Sequence, residues 1–192
     1  MAAAIYSTTT QEGIDVNSVF ILDSGTPEYP RPPFIAGELA WGTDGSEWVY
    51  CTASITIAAG SVVLISQTQG SWSVALIGGA TVSAAANATG LLVGVVGGSQ
   101  GSLVVPAPAG TQTGTFFWVQ RAGNCPNVKT LASTTKLAQL HSSATLAGVL
   151  TSTGGGTNTT YQVNGIVISN ATGSAAGPNT AILNYPVVGL TS

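Results

Sequence analysis

The sequence predicts an all-β domain over residues 34–192, either a jelly-roll-like sandwich or a small tulip-like β-barrel, preceded by an extended N-terminal arm over residues 1–33. Three observations carry that reading. Roughly ten short apolar runs, about 8 to 15 residues apart and separated by Gly, Pro, Asn and Ser, match the rhythm of a sandwich or barrel. Helical periodicity is nearly absent: Val128, Leu131, Leu137, Leu140, Leu146, Val149 and Leu150 fall at irregular spacing, which suits short strands joined by turns. Finally, Phe116, Phe117, Trp118 and Val119 are the densest aromatic and β-branched cluster in the chain. Residues 122–126, Ala-Gly-Asn-Cys-Pro, favour turns, so this buried strand is expected to end there.

Taken in order, the first 33 residues differ from the rest. Pro27, Pro30, Pro32 and Pro33 keep the backbone extended, and Val19, Phe20, Ile21 and Leu22 offer one strand. A strand at 39–41, a turn at 43–46 and a strand at 48–51 then form a hairpin, with Asp44-Gly45 the kind of pair that tolerates positive φ. Ile55 and Ile57 lead to a turn at Ala59-Gly60 and a strand at 62–65. Further apolar runs lie at 72–77, 91–96 and 103–105, with 80–90 as a short helical or irregular insertion. A Gly/Thr loop at 151–160 precedes two closing strands, at 161–168 and 179–188.

Composition bounds the partners. Charged residues make up 6% of the 192, against about 25% in an ordinary globular domain. All seven acids precede residue 50, and beyond Cys51 the fixed charges are Arg121, Lys129 and Lys136. Two explanations stand side by side: an obligate assembly, whose neighbours cover an uncharged surface, or a robust β domain solvated by hydroxyls. A net charge of −3 without a basic cluster excludes a nucleic-acid partner. No apolar run has the length of a membrane-spanning helix, and the N-terminus has neither the basic start nor the apolar stretch of a signal peptide. The chain is therefore expected to stay in the compartment where it is made. Cys51 and Cys125 have no metal-type spacing and read as small buried hydrophobes. Asn-x-Thr triplets at Asn87, Asn158 and Asn170 are expected by chance in so Thr-rich a chain.

Chemistry is sparse. Gly97-Gly-Ser99-Gln-Gly101 matches the nucleophile-elbow pattern, but an elbow must open a helix and the following Ser-Leu-Val-Val-Pro is extended. His141, the single histidine, has no acid near it in sequence and reads as a surface or interface residue. Asp44 and Glu47 flank a hairpin turn, where a turn-former and a solvated side chain are the expected roles in place of a glycosidase pair. No phosphate loop, zinc spacing or calcium loop appears, so neither an enzyme nor a cofactor is expected.

Five stretches follow in a fixed order: the hairpin Gly42-Thr-Asp-Gly-Ser-Glu-Trp-Val-Tyr50, the strand-turn-strand Ile57-Ala-Ala-Gly-Ser-Val-Val63, the aromatic strand Phe117-Trp-Val-Gln-Arg-Ala-Gly-Asn-Cys125, the turn near Ala147-Gly148 and the closing Asn179-Thr-Ala-Ile-Leu-Asn-Tyr-Pro186. Together they resemble the capsid decoration, or cement, proteins of tailed bacteriophages. The resemblance covers roughly residues 34–188 and leaves the arm outside. It implies a virion protein on the outside of the capsid, made in the host cytoplasm, whose partners are the major capsid protein and its own copies, as a trimer or a dimer. Val19, Phe20, Ile21, Leu22, Tyr29 and Phe34 are then the expected partner contacts, through β-augmentation or groove packing. The rival reading is a host-recognition or carbohydrate-binding β module. There Trp41, Trp48, Trp72 or Trp118 would stack on sugar rings, with Trp72, flanked by Ser71 and Ser73, the best exposed candidate.

Overall fold

Runs of Val, Ile and aromatic residues broken by glycine turns become fourteen β-strands, and no helix forms among the described residues. The computed structural model describes residues 5–6, 14–23, 31–68, 71–78, 91–97, 103–110, 112–153, 161–170 and 176–189. In order the strands are β1 (Ile5–Tyr6), β2 (Val19–Asp23), β3 (Leu39–Gly42), β4 (Glu47–Ala53), β5 (Ile57–Ala58), β6 (Val62–Thr68) and β7 (Ser71–Leu76). They continue with β8 (Leu92–Val96), β9 (Val104–Val105), β10 (Gln112–Thr130), β11 (Leu140–Ser142), β12 (Leu150–Thr151), β13 (Gln162–Ile168) and β14 (Gly177–Val188). The expected insertion at 80–90, Ser99 and residues 154–160 of the Gly/Thr loop lie outside the described residues.

Pairing closes the sheet into two five-stranded circuits, which β8 and β14 also join directly. One circuit runs β4, β7, β6, β8, β10 and back to β4; the other runs β10, β14, β13, β11, β12 and back to β10. The chain is therefore all-β, consistent with the expected sandwich or barrel, with β10 shared by both rings. Its residues 115–122 pair antiparallel with β4, and 122–130 pair antiparallel with β14. The main sheet order begins at β1 and ends at β2; β5 and β9 form a separate two-stranded sheet.

Each ring lines its own core, and β6 and β8 of the first ring also face the second. Val49, Cys51, Val63, Ile65, Val96, Phe117 and Val119 pack in the first; Cys125, Val128, Leu140, Leu150, Ile166, Ile168 and Leu183 pack in the second. The period-2 alternation of β6 divides an unbroken apolar run between them. Val63 and Ile65 face the first core, while Val62 and Leu64 face the second. The two cysteines are buried, free, and one to each core.

A third cluster lies on the other face of β4 and β10. Trp48, Tyr50 and Trp118 are covered there by Ile14, Val16 and the partly buried Phe34 and Phe116. The Phe34 ring stands edge-on to Trp118 and Tyr50, with centroids 5.0 and 5.4 Å apart. Burying each such side chain contributes about 1.5–3 kcal/mol relative to leaving it exposed. β2 pairs antiparallel with β10, setting Phe20 opposite Phe116. The described part of the N-terminal segment is thus an outer layer over the first ring.

One expectation fails in an instructive way. The strand through Phe116–Phe117 does not end in a turn at 122–126; β10 runs on to Thr130. The turn-favouring residues are absorbed as irregularities of a continuous strand. Register shifts fall between Gln120 and Ala122 and between Cys125 and Val128, and Pro126 sits inside the second, where no ladder hydrogen bond is required of it. Gly123 adopts φ +89° beside Ser46, where a Cβ would stand 2.7 Å from the Ser46 Cα.

Candidate functional site

The most chemically organised surface lies where β3, β4, β10 and β14 meet. Its base is the hairpin turn at 43–46, in which Asp44 Oδ1 accepts a 3.0 Å hydrogen bond from the Ser46 amide. Hydrogen bonds from Ser46, first from its side chain, hold the Asp44 carboxyl below its ordinary value. Asp44 is the expected turn-former. Glu47 is not the solvated side chain expected of it: only 7% exposed, it opens β4 directly across from Trp41.

Glu47 Oε2 accepts two hydrogen bonds, from Trp41 Nε1 at 3.2 Å and from the Tyr185 hydroxyl at 2.8 Å. The second bond spans 138 positions of sequence and ties β4 to β14. Both residues stay partly open to solvent, Trp41 at 40% and Tyr185 at 49% exposure. The Glu47 bond, and secondarily its charge, push the Tyr185 phenol upward. Arg121 is the extra residue of the β10 bulge between Gln120 and Ala122, and its guanidinium carbon lies 5.5 Å from the Tyr185 ring centroid.

Two irregular strands aim these groups. Between Ile166↔Leu183 and Asn164↔Val187, Asn184, Tyr185 and Pro186 on β14 stand opposite Gly165 alone. Tyr185 sits at φ +45°, a left-handed conformation that non-glycine residues rarely adopt. Gly165, itself at φ +84°, admits the bulge; a Cβ there would stand 2.6 Å from the Asn184 carbonyl oxygen. Single-sequence patterning offers no signal for a bulge that sets residue 185 against residue 47. The accessible clue was the pair of bulge-forming elements, Arg121-Ala-Gly123 and Asn184-Tyr-Pro186.

Other singled-out residues lie elsewhere. Trp72 is half-buried in the first core, with the Gly37 backbone against its indole: a Cβ on Gly37 would run into Trp72 Nε1. Trp48 and Trp118 are buried. Trp41, not Trp72, is the exposed tryptophan, because its strand ends at the rim while Trp72 packs beneath the 35–38 turn. His141 is half-buried on β11, and its Nδ1 meets no hydrogen-bond partner.

The predicted contact residues separate in the same way. Val19 reaches the first core, Phe20 and Phe116 rings lie 6.3 Å apart, Phe34 joins the aromatic layer, and Ile21 is exposed. Leu22 is half-buried opposite Gly114, and Tyr29 lies outside the described residues. Across the molecule, a cleft of about 270 Å³ is lined by Ala59, Lys129, Leu146, Val149, Gly177 and Pro178. Lys129 Nζ donates to Ser61 Oγ at 3.3 Å, and desolvation holds its ammonium below its ordinary value.

Among the described residues no three His, Cys, Asp or Glu side chains come together as metal ligands, and no helix is long and apolar enough to cross a membrane. Comparison with protein-family models, curated proteins and solved structures finds no match for the chain.

Proposed function

We propose that this chain is a non-enzymatic virion structural protein, a capsid decoration or cement protein that binds the outside of an icosahedral phage head and stabilises neighbouring major capsid subunits. The observation that carries this reading is the placement of the sheet's open ends. Both rings are closed, and the main sheet terminates in β1 and β2, each from the N-terminal segment. β2 pairs with β10 on one side, and no other described strand pairs with it. Its run Val19-Phe-Ile-Leu22 carries no charge or Pro, devices that keep exposed edges from pairing; Asp23 and the register shift opposite it come at the far end of the strand. Such an edge suits addition of a strand from a capsid subunit or from another copy in a homo-oligomer, with a trimer the favoured state. A nearly uncharged surface supports the same reading, since it packs flush against neighbours without burying unpaired charge.

A ligand that binds only the expanded shell stabilises it by linkage. The test is to mix the protein with undecorated heads of the parent phage and follow sedimentation and the temperature of DNA release. Wild type is expected to co-sediment and raise that temperature. Ile21→Lys, which puts a charge on the exposed β2 edge without touching either core, is expected to lose both effects at unchanged intrinsic stability. Failure of the wild type to bind heads overturns the proposal.

A further inference from the structure

We propose that Trp41, Tyr185, Glu47 and Arg121 form a shallow binding site for a neutral pyranose-containing oligosaccharide. The site lies at the meeting of β3, β4, β10 and β14, whereas β2 pairs with the 112–117 part of β10, so this site and the capsid-binding edge are tested separately.

Three features point to a sugar. The first is a pair of aromatic rings: Trp41 and Tyr185 are both exposed, and their polar tips share one oxygen, Glu47 Oε2, which brings them to one spot on the surface and ties each down at its polar end. A pyranose presents a flat C–H face that stacks on such rings, and rings already fixed lose little freedom on binding. The second is the polar rim. Glu47 Oε1 takes no hydrogen bond from a described residue, and the Arg121 guanidinium lies against the Tyr185 face. An acceptor and a set of donors beside an aromatic platform match the hydroxyl edge of a sugar. The third is charge. One carboxylate and one guanidinium meet across the Tyr185 ring, and among the described residues they form no direct ion pair. Their fields offset one another, so the site favours neither an anion nor a cation.

A purely structural clamp between the rings needs the Tyr185 hydroxyl on Glu47. It does not need Trp41 exposed on the same oxygen, nor Tyr185 held in a left-handed conformation that turns its ring to solvent.

The experiment titrates ¹⁵N-labelled full-length protein with cellohexaose, chitohexaose, maltohexaose and mannohexaose at millimolar concentration. The readout is the indole N–H region, where the chain's four tryptophans report separately and Trp41→Phe assigns the signal of interest. At least one hexaose is expected to move the Trp41 signal while those of buried Trp48 and Trp118 stay in place. By calorimetry with that hexaose, Trp41→Ala and Tyr185→Ala are each expected to weaken binding about tenfold or more, whereas Tyr185→Phe, which keeps the ring, weakens it only a few fold. Absence of any Trp41 shift with all the hexaoses overturns the proposal. So does binding that survives Trp41→Ala with unchanged affinity.

Discussion

The two rings share β10 and a similar strand count, yet their outer surfaces differ. Along β4, in the first ring, both faces are buried: Val49, Cys51 and Ala53 point to the core, while Trp48 and Tyr50 lie under Ile14, Val16 and Phe34. Along β13 and β14, in the second ring, buried and open positions alternate, and the cross-strand pair Val167 and Ile182 faces solvent. The N-terminal segment accounts for that contrast. It supplies a third layer to one ring, and that layer lets three large aromatics occupy a face that would otherwise be wet. The second ring has no such cover among the described residues and keeps a mixed outer face.

The largest effect expected on that comparison comes from Trp118→Ala. The indole is enclosed by Phe34 and Tyr50, and its removal should cost about 3–5 kcal/mol, read as the loss in urea-unfolding free energy. Deleting residues 1–23 tests the layer directly, with each ring's thiol as its own reporter. Losing Ile14 and Val16, at about 1.5–3 kcal/mol for each fully buried side chain, should speed native-state modification of Cys51 by about a hundredfold or more. Cys125, in the other core, should react at its original rate. Equal acceleration of both thiols would mean that the rings open as one unit.

Smaller effects sharpen the contrast. Gly165→Ala forces a Cβ against the Asn184 carbonyl at positive φ and should cost about 1–3 kcal/mol by urea midpoint, weakening the Tyr185–Glu47 tie between the rings. Burial pushes the Cys125 thiol up to about 12 and raises that of Cys51 further. Folded thiols therefore keep protons that unfolded ones release. The stability each contributes is fully present below about pH 8.5 and declines above it by up to ~1.4 kcal/mol per pH unit, until the folded thiol itself titrates. Denaturation across pH 8 to 11 should show this decline, and Cys125→Ala should flatten it. At the bottom of the scale, Ile182→Ser and Val167→Thr on the open face should shift stability by no more than about 0.5 kcal/mol in thermal melts.

Much of this was legible in the chain. The hairpin around Asp44-Gly45, the turn at Ala59-Gly60, and strands near 19–22, 62–65, 72–77, 91–96, 161–168 and 179–188 follow from local alternation and turn chemistry, and each is found near its expected place. Both cysteines lie buried and free, as small hydrophobes should. The end of β10 was misread, because Gly123 and Pro126 carry the same signature in a bulge as in a turn; only the flanking partners, β4 and β14, distinguish them. The candidate site was misread for a related reason. Glu47 looked like a hairpin-flanking solvated acid, and Trp72 looked more open than Trp41, because burial is a property of what lies across the fold.

The all-β class, the position of most strands, the charge-poor composition and the concentration of acids before residue 50 follow from local sequence. These depend on side-chain alternation, backbone preference and composition, which act over a few residues. Closure into two rings, the role of the N-terminal segment as a layer, and the meeting of Glu47 with Tyr185 were decided only in three dimensions. Each depends on strands that pair or pack across long stretches of chain, and such a contact forms only when the whole sheet has closed around it.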